Sequence, residues 1–423
     1  MDNYKGKRML ERVNELTTFD GGSEEKLEDR EVVLFENVQF IYELALAEME
    51  LKAMGVEFDS VEGARKFRIK DGTKETNRLI KRLGYFQSIG NKHTDYYHII
   101  KKNTTKSVNQ YLTHWIYPYK GKFHPQMIRG LLNIIGLQEG DTVLDPFSGS
   151  GTTALEAQLL GVNVIGIDVS PLCIAQGKVK TESIFVLPKI LEMAETILKS
   201  TNMLDSERTD LKEAIEGIKD DKVKNFYRMA RLVAVSDEAR RGRNFIEAFK
   251  RNLDLMTRSV KDYSDIVSEL RLSLGKVDIK LGDARKLDLA TDSIDGIITS
   301  PPYSIALDYV SNDAHALEAL GYDTKKIREE FIGVRGAGTE KVLLYDKDME
   351  QCITEMYRVL KPGKMAAIVI GNATYQGKEV KTVEYIQKIA MKLGFVEVKN
   401  MNKIIFGLYN VMKKENILIF RKE

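Results

Sequence analysis

The sequence predicts an α/β protein built on a sheet of about seven strands, with a long helical insertion in the middle of that sheet. Short apolar runs alternate with helical segments from residue 141 onward, beginning with "DTVLDPF", "GTTALEAQLLG" and "NVIGIDVS". A strand, a helix and a strand within about thirty residues are typical of a parallel crossover unit. The chain closes with "VEVKNMNKIIFG" and "ENILIFRKE", a pair that is typical of a hairpin.

The remaining elements follow in order along the chain. Residues 1–112 read mainly as helix, because "EEKLEDREVVLFENVQFIYELALAEMELKAMG" places its apolar residues near helical spacing. Residues 178–275 carry long helical periods and few strand signals. Strands resume at "VDIKLGDA", "SIDGIITSPPY" and "GKMAAIVIGN". The insertion is therefore expected between the second and third strands of the sheet.

Composition argues against several classes of protein. Hydrophobic residues make up 43% and charged residues 30% of the 423 residues, as in soluble globular proteins. No apolar run is long enough for a membrane span, and the start lacks the apolar core of a secretory signal, so a cytoplasmic protein without a membrane partner is expected. The two cysteines, Cys173 and Cys352, lack metal-ligand spacing, so neither a disulfide framework nor a metal site is predicted.

Basic residues are clustered although the formal net charge is only +2. The clusters are "KFRIK", "NRLIKRLGY", "HIIKKNTTK" and "DEARRGRNFIEAFKRN", and tyrosines are interleaved with them. Each cluster alone is equally typical of a solvated helix face, but together they favour a surface that follows phosphates and stacks on bases. The strongest candidates for contact with nucleic acid are Arg240, Arg241 and Arg243.

A glycine turn in "VLDPFSGSGTTALEA" is the first candidate site. Gly149 and Gly151 follow a strand and open a helix, which lets backbone N–H groups approach a ligand. The dinucleotide fingerprint is not matched, because its third glycine falls at Ala154. Asp168 ends the next strand, where an acid accepts hydrogen bonds from ribose, and Asp283 ends the third strand, where it can accept from an adenine amino group. An adenosine-bearing ligand is therefore favoured.

A second candidate site lies in "IDGIITSPPYSIALDY". Pro301 and Pro302 cannot continue a sheet ladder, because proline lacks an N–H and fixes φ. They form a stiff loop that holds Ser300 and Tyr303 just beyond the carboxyl end of a strand, where open α/β sheets bind ligands. Tyr309 follows closely and is expected near the same pocket.

"DPFSGSGTT" together with "TSPPY" resembles the S-adenosylmethionine-dependent amino methyltransferases of DNA, in which Asp, Asn or Ser precedes Pro-Pro and an aromatic residue. "HWIYPYKGKFHPQMIRGLLN" resembles the segment that in this family closes over the methionine end of the cofactor. The resemblance covers about residues 113–180 and 276–423. It implies a Rossmann-like class I methyltransferase sheet of seven strands with an antiparallel last strand, and S-adenosylmethionine as the cofactor.

The basic clusters make the N-terminal region and the insertion candidates for contact with nucleic acid, and the resemblance implies functions for the two halves of the core and for single residues. The segments are 1–112, a helical N-terminal region with candidate nucleic-acid contacts; 113–177, the cofactor-binding half of the core; 178–275, a helical insertion and candidate target-recognition region; and 276–423, the catalytic half. The implied catalytic residues are Ser300, Pro301, Pro302 and Tyr303. The implied cofactor-binding residues are Asp145, Phe147, Gly149, Gly151, Thr152, Asp168, Asp283 and His124.

The chemistry of the Ser-Pro-Pro-Tyr loop suits amino methylation. An exocyclic amino group is a poor nucleophile, because its lone pair is delocalised into the base. The Ser300 oxygen and the Pro301 carbonyl can accept hydrogen bonds from the two amino hydrogens, while Tyr303 offers a face on which a flipped base stacks. No cysteine adjoins the loop, which argues against methylation at carbon 5 of cytosine.

Serine at the first position of the loop favours cytosine N4 in double-stranded DNA, since cytosine enzymes of the family often carry serine. The alternatives are adenine N6 in DNA, cytidine N4 or guanosine N2 in RNA, and a non-catalytic nucleic-acid-binding subunit. The glycine loop precedes the Ser-Pro-Pro-Tyr loop, whereas many cytosine-N4 enzymes have the opposite order, and the insertion lies outside the family's usual positions for target recognition. A cognate restriction endonuclease is a candidate partner; the sequence specifies neither the recognition sequence nor the oligomeric state.

Overall fold

The computed structural model describes residues 31–423 except 62, 64, 71–75, 104, 106, 202–206, 304–307, 337–339, 376 and 405–413. Residues 1–30 of the predicted N-terminal region therefore lie outside the described residues. The strands are β1 (Glu31–Leu34), β2 (Phe58–Val61), β3 (Lys66–Ile69), β4 (Phe86–Ile89), β5 (Lys92–His93), β6 (Thr142–Asp145), β7 (Asn163–Asp168), β8 (Val277–Leu281), β9 (Ile294–Thr299), β10 (Leu360–Gly371), β11 (Ala373–Tyr375), β12 (Lys378–Val380), β13 (Phe395–Ile404) and β14 (Lys414–Lys422).

Helices cover most of the remaining described residues. They are α1 (Ile41–Ala53), α2 (Thr76–Arg82), α3 (Asp95–Lys101), α4 (Pro125–Ile134), α5 (Thr152–Leu159), α6 (Pro171–Glu182), α7 (Leu187–Lys199), α8 (Glu207–Glu216), α9 (Asp221–Arg241), α10 (Phe245–Leu270), α11 (Tyr309–Asn312), α12 (Ala314–Ala319), α13 (Thr324–Glu330), α14 (Glu340–Val359) and α15 (Thr382–Leu393). None of the described helices is both long and apolar enough to cross a bilayer.

The central sheet has seven strands in the order β13-β14-β10-β9-β6-β7-β8. Strands β10, β9, β6, β7 and β8 pair in parallel, while β14 runs antiparallel to both of its neighbours. This confirms the predicted fold class, including the antiparallel last strand. Strand β9 lies in the middle of this sheet, and its Ile297 and Ile298 are fully buried. Its apolar run suits this position, because helices cover both faces of a parallel sheet.

The N-terminal region differs from the prediction. Its described part contains a five-stranded antiparallel sheet, β2-β3-β1-β4-β5, so the expectation of a mainly helical region is wrong there. Helix α1 begins only at Ile41, because the Glu43 carboxylate accepts the N–H groups of Gln39 and Phe40 just before it. Upstream, Val32 and Leu34 are buried on one face of β1, so the buried residues alternate as in a strand. Strand β1 has only four residues, which is too few to distinguish this alternation from helical spacing in the sequence.

The segment between β7 and β8 is helical in its described part, as the sequence predicts. Helices α9 and α10 pack on each other and bury one face each. The apolar run "SIFVL" forms a 3₁₀ turn over Ser183–Val186 instead of a strand. The hydrophobic core of this segment is continuous with residues 309–334, which follow the Ser-Pro-Pro-Tyr loop. The insertion therefore supports one wall of the region beside that loop.

Candidate active site

The glycine loop connects β6 to α5. Gly149 and Gly151 have φ values of 48° and 75°, in the left-handed region that favours glycine. A Cβ on Gly151 would lie 2.8 Å from the Cα of Gly177, so only glycine lets the start of α5 pack on α6. Gly149 lines a cleft at the carboxyl ends of the parallel strands, where a Cβ would lie 3.4 Å from the Tyr119 ring.

Asp145 links the glycine loop to the Ser-Pro-Pro-Tyr loop. It is 2% exposed, and its carboxylate accepts the Thr299 hydroxyl at 2.7 Å and the Phe147 N–H at 3.2 Å. Burial raises the pKa of Asp145 to about 6. Since Asp145 ends β6 and Thr299 ends β9, this bond holds the two loops in register. Asp145 thus lies beneath the cleft, outside its lining.

The two acids predicted to bind adenosine both line the cleft. Asp168 accepts the N–H groups of Gly149 at 2.8 Å and Ser170 at 2.9 Å, and burial raises its pKa. Burial would also raise the pKa of Asp283, but hydrogen bonds and the positive charge of Arg285 lower it. The Arg285 guanidinium is 2.7 Å from the Asp283 carboxylate, so Asp283 is already held in one orientation.

The Ser-Pro-Pro-Tyr loop begins where β9 ends. Ser300 and Pro302 line the cleft, whereas Pro301 and Tyr303 are buried beside it. The Tyr303 hydroxyl donates to a carboxylate oxygen of Glu415 on β14 at 2.8 Å, and the Ser300 hydroxyl lies 3.4 Å from the Tyr303 oxygen. The Tyr303 ring is 7% exposed, less than expected for an open stacking face.

The two loops together line one cleft of about 730 Å³. Phe147 and Thr152, both predicted cofactor-binding residues, line it as well. Tyr309 lies in the wall between the rings of Tyr119, at a centroid distance of 6.1 Å, and Phe331, at 5.9 Å. Neither Tyr119 nor Phe331 was predicted. Tyr119 lies in the segment that resembles the cofactor-closing segment of the family, where only His124 was named, and Phe331 comes from a segment whose sequence carries no site motif.

His124 does not line the cleft, whereas Lys122, two residues earlier, does. His124 lies at the position that precedes the first residue of α4, and its side chain makes no cap hydrogen bond. Burial, with the nearby charges of Lys403 and Lys122, lowers the pKa of His124 to about 4, so its imidazole is neutral at pH 7. The segment before α4 therefore reaches the cleft through Tyr119, Gly121, Lys122 and Phe123.

The three predicted arginines fall into two groups. Arg240 donates to the Pro118 carbonyl at 3.0 Å and pairs with Asp313 at 2.7 Å, so it joins α9 to segments near the cleft. Arg241 and Arg243 instead share the buried carboxylate of Asp237.

A further arginine, Arg251 of α10, pairs with the same Asp237 carboxylate at 2.5 Å. Arg241, Arg243 and Arg251 are 42–54% exposed in their side chains. Three positive charges therefore converge on one negative charge at the surface. We call Arg241, Arg243 and Arg251 the arginine cluster.

Comparison with protein families gives two matches. Residues 116–361 match the model of the RMKL-like methyltransferase domain. Residues 48–178 match the model of a DNA methylase family.

Individual relatives differ in how much of the chain they cover. The type II methyltransferase M.BsoBI of Geobacillus stearothermophilus is 25% identical over 433 residues, covering 72% of this chain and 84% of that protein. A tRNA (guanine(10)-N2)-dimethyltransferase of Methanothermobacter thermautotrophicus is 43% identical over 51 residues, 12% of this chain and 15% of that protein. The crystal structure of a SAM-dependent methyltransferase from Methanosarcina mazei has a TM-score of 0.32 and 14% identity, over 68% of this chain and 94% of that one.

Proposed function

The chain belongs to the RMKL-like methyltransferase domain family and to the S-adenosylmethionine-dependent amino methyltransferases of DNA, and from this premise we propose that its target is N4 of a cytosine in duplex DNA. One observation carries the proposal. The glycine loop and the Ser-Pro-Pro-Tyr loop line the same cleft and are tied together by the bond between Thr299 and Asp145. A cofactor loop and an amino-group acceptor loop thus share one space.

The residues of the cleft fit S-adenosylmethionine, the cofactor of this family. Asp168 and Asp283 offer carboxylate oxygens suited to ribose hydroxyls and an adenine amino group. Gly149, with its left-handed backbone, lets the ligand approach the loop without a side chain in the way. When bound, the cofactor supplies a sulfonium methyl group as the electrophile.

The chain's contribution to transfer is positioning. Ser300 lines the cleft and can accept one hydrogen of the amino group, and the Pro301 carbonyl can accept the other. Both acceptors sit on a loop that two prolines stiffen and that Tyr303 anchors to Glu415, so they need no reorganisation during reaction. The flipped base would lie in the cleft against Ser300 and Pro302, with the largely buried Tyr303 beside them.

Cytosine N4 is favoured over carbon 5 of cytosine and over N6 of adenine, for a different reason in each case. Carbon-5 methylation requires a cysteine nucleophile, and Cys173 and Cys352 are 2% and 0% exposed, outside the lining of the cleft. Burial raises the pKa of both thiols, which disfavours the thiolate. Adenine N6 remains the closest alternative, and Ser300 is what favours cytosine over it.

The similarity to a tRNA (guanine(10)-N2)-dimethyltransferase supports a second candidate, amino methylation of RNA. The much longer match with a type II methyltransferase favours DNA. We propose that the arginine cluster contacts phosphates, because its three guanidiniums exceed the charge of Asp237. The insertion that carries this cluster is our candidate for target recognition, and a restriction endonuclease is a candidate partner.

Transfer of a labelled methyl group tests the choice of polymer. The protein is incubated with methyl-labelled S-adenosylmethionine and either duplex DNA, the same DNA as single strands, or total RNA. We expect label in duplex DNA. Label confined to RNA would favour the second candidate, and cofactor binding without label in any polymer would favour a non-catalytic binding subunit.

A further inference from the structure

A further cavity lies at the amino ends of the parallel strands, whereas the cleft lies at their carboxyl ends. Its walls come from α2 and α3 of the N-terminal region, from the turns that lead into β6 and β7, and from the residues that follow α10. Helix α5 runs between the two spaces, because its first residue, Thr152, lines the cleft and its last, Leu159, lines the cavity. A helix of eight residues is about 12 Å long. The cavity is therefore separate from the proposed methylation site.

Positive charge predominates in the lining of this cavity. The lining contains two carboxylates and four cationic side chains: Asp95 and Glu139, and Arg78, Lys81, Arg82 and Arg271. Three of the cations belong to the basic cluster "NRLIKRLGY", which takes no part in the lining of the cleft. In the described part of the chain, no carboxylate oxygen lies within 4.0 Å of the charged nitrogens of Lys81, Arg82 or Arg271. Ion pairs at short range therefore do not cancel the charge of these three residues.

Arg82 is the most buried of the four cations, with 7% of its surface exposed. Its Nε donates to the side-chain oxygen of Asn133 at 2.9 Å, and its Nη2 donates to the Leu137 carbonyl at 2.6 Å. A guanidinium has five N–H donors. These two bonds fix the orientation of Arg82 and leave donors for a ligand in the cavity.

A second buried arginine lies against Arg82. Arg129 is fully buried, and its Nε donates to the main-chain carbonyl of Arg82 at 3.2 Å. Burial, with the positive charges of Arg129 and Arg78, lowers the pKa of Arg82 to about 10. The negative charges of Glu50 and Asp141 oppose this shift but do not cancel it. The same excess of positive charge favours an anion in the cavity.

The types of cation in the lining favour phosphate among anions. A guanidinium presents paired N–H groups that match two oxygens of a phosphate. Arg82 on α2 and Arg271 after α10 bring such groups from separate segments, and Lys81 adds an ammonium. A phosphate group has more acceptor oxygens and more negative charge than a carboxylate, so it can accept from both segments at once.

The position of the cavity favours a small solute over nucleic acid. Duplex DNA with its target base in the cleft would lie at the carboxyl ends of the strands, away from the cavity at their amino ends. The cavity encloses about 910 Å³ including its open mouth, so a solute can enter it from solvent.

We propose that this cavity binds a small phosphate-bearing solute, which links the N-terminal region to the end of the insertion. The inference goes beyond methyl transfer and holds whichever base or polymer is methylated. A ligand that binds the folded chain and not the unfolded chain stabilises it, so added ligand should raise the midpoint of thermal unfolding.

Inorganic pyrophosphate is the probe, and calorimetry measures its affinity for the full chain. S-adenosylhomocysteine saturates the cleft throughout, so that pyrophosphate does not bind at the glycine loop. The test variant combines Lys81→Gln with Arg271→Gln, because both side chains are exposed at the cavity and their loss leaves the buried contacts of Arg82 intact. We expect it to bind pyrophosphate at least about tenfold more weakly than the parent, with a smaller rise in unfolding midpoint on adding pyrophosphate.

A matched variant combines Lys70→Gln with Arg258→Gln. It removes one lysine of the N-terminal region and one arginine of α10, so the net charge changes by the same amount as in the test variant. These two side chains pair with Asp59 and Asp254 and lie outside the lining of the cavity. The matched variant should bind pyrophosphate like the parent.

The affinity of both variants for one DNA duplex distinguishes a free solute from the phosphates of nucleic acid. We expect the test variant and the matched variant to bind the duplex equally. Equal affinity of the two variants for pyrophosphate, or no binding of pyrophosphate by the parent, would overturn the proposal. A greater loss of duplex affinity in the test variant would also overturn it, since the cavity would then contact the backbone of DNA.

Discussion

Tyr303 ties the catalytic loop to the end of the chain. Its hydroxyl donates to Glu415, whose second carboxylate oxygen accepts from Lys403 at 2.6 Å. A hydrogen-bonded chain therefore runs from Ser300 through Tyr303 to β14 and β13. The ring and the hydroxyl of Tyr303 serve different purposes, so two substitutions should separate them.

Tyr303→Ala removes the ring, and Tyr303→Phe removes only the hydroxyl. The buried ring supports the loop beside the cleft and carries the bond to Glu415, so the alanine variant should loosen the loop and methylate at least about fivefold more slowly in a single turnover. Tyr303→Phe should lose less, because it keeps the ring. Ser300→Ala removes one neutral hydrogen bond, about 0.5–1.5 kcal/mol, and should also lose less. Calorimetric affinity for the cofactor should match in all three, and near-normal methylation by Tyr303→Ala would show that the loop is structural.

At the residue scale, local motifs predict the positions of the glycine loop and the Ser-Pro-Pro-Tyr loop better than they predict which side chains line the cleft. The sequence places Ser300, Gly149 and Asp168 in the site because Ser300 directly follows a strand, Asp168 ends one, and Gly149 lies in the loop between a strand and a helix. It misses Lys122 in favour of His124, since the start of α4 decides which of the two faces the cleft. The partner of Tyr303 is 112 positions away along the chain, beyond the reach of any local pattern.

The turn between α9 and α10 presents the arginine cluster. Helix α9 ends at Gly242, which has a φ of 61°, and α10 begins after Asn244, whose side chain accepts the N–H of Glu247. This tight turn places Arg241 and Arg243 beside Arg251 around the Asp237 carboxylate. Because the three arginines share the single carboxylate of Asp237, they are held in place while a net positive charge remains.

Replacing all three arginines of the cluster with Gln should weaken binding to nucleic acid and flatten its salt dependence. The slope of log affinity against log salt should fall by up to about 0.9 for each phosphate that the variant no longer neutralises. Arg258→Gln is the matched control, because Arg258 lies on the same helix as Arg251, is 53% exposed and pairs with Asp254. Binding is measured from low to moderate salt on one duplex. An unchanged slope in the triple variant would move the phosphate contacts to the N-terminal basic clusters.

At the element scale, the long helices and the apolar strands of the central sheet were predictable, whereas the short strands of the N-terminal sheet were not. Helix α10 spans 26 residues, so its apolar stripe repeats many times along the sequence. Strands β1 to β5 have at most four residues each, and "KFRI" and "FQSI" mix polar and apolar residues. These segments become strands because they pair with one another, and the sequence of a single segment does not predict that pairing.

The N-terminal sheet and the methyltransferase core share one hydrophobic core, which runs from Val32 of β1 to Ile419 of β14. A buried polar link crosses the same boundary. The Glu50 carboxylate of α1 accepts the N–H groups of Gly84 at 2.8 Å and Tyr85 at 3.1 Å, and the Asn133 amide of α4 at 2.7 Å. Glu50 is 0% exposed, so water does not reach these donors as an alternative acceptor.

Glu50→Ala should destabilise the whole chain, since it leaves three buried donors without an acceptor. Each such donor costs about 1–3 kcal/mol, so we expect a loss of at least about 3 kcal/mol in the free energy of unfolding. Glu50→Gln keeps one acceptor oxygen and the side-chain shape, and it should lose less. Denaturant unfolding of both variants measures this. An alanine variant as stable as the parent would mean that the hydrogen bonds of Glu50 do not contribute to holding the two regions together.

The central claim, that the two loops form one site for amino methylation, is tested most directly by identifying the methylated atom. Duplex DNA is incubated with the protein and S-adenosylmethionine, digested to nucleosides and analysed by mass spectrometry against synthetic standards. The Ser300-Pro301-Pro302-Tyr303 loop predicts N4-methylcytosine. N6-methyladenine would retain the amino chemistry and change the base. 5-Methylcytosine, or duplex DNA without any methylated base, would contradict the account.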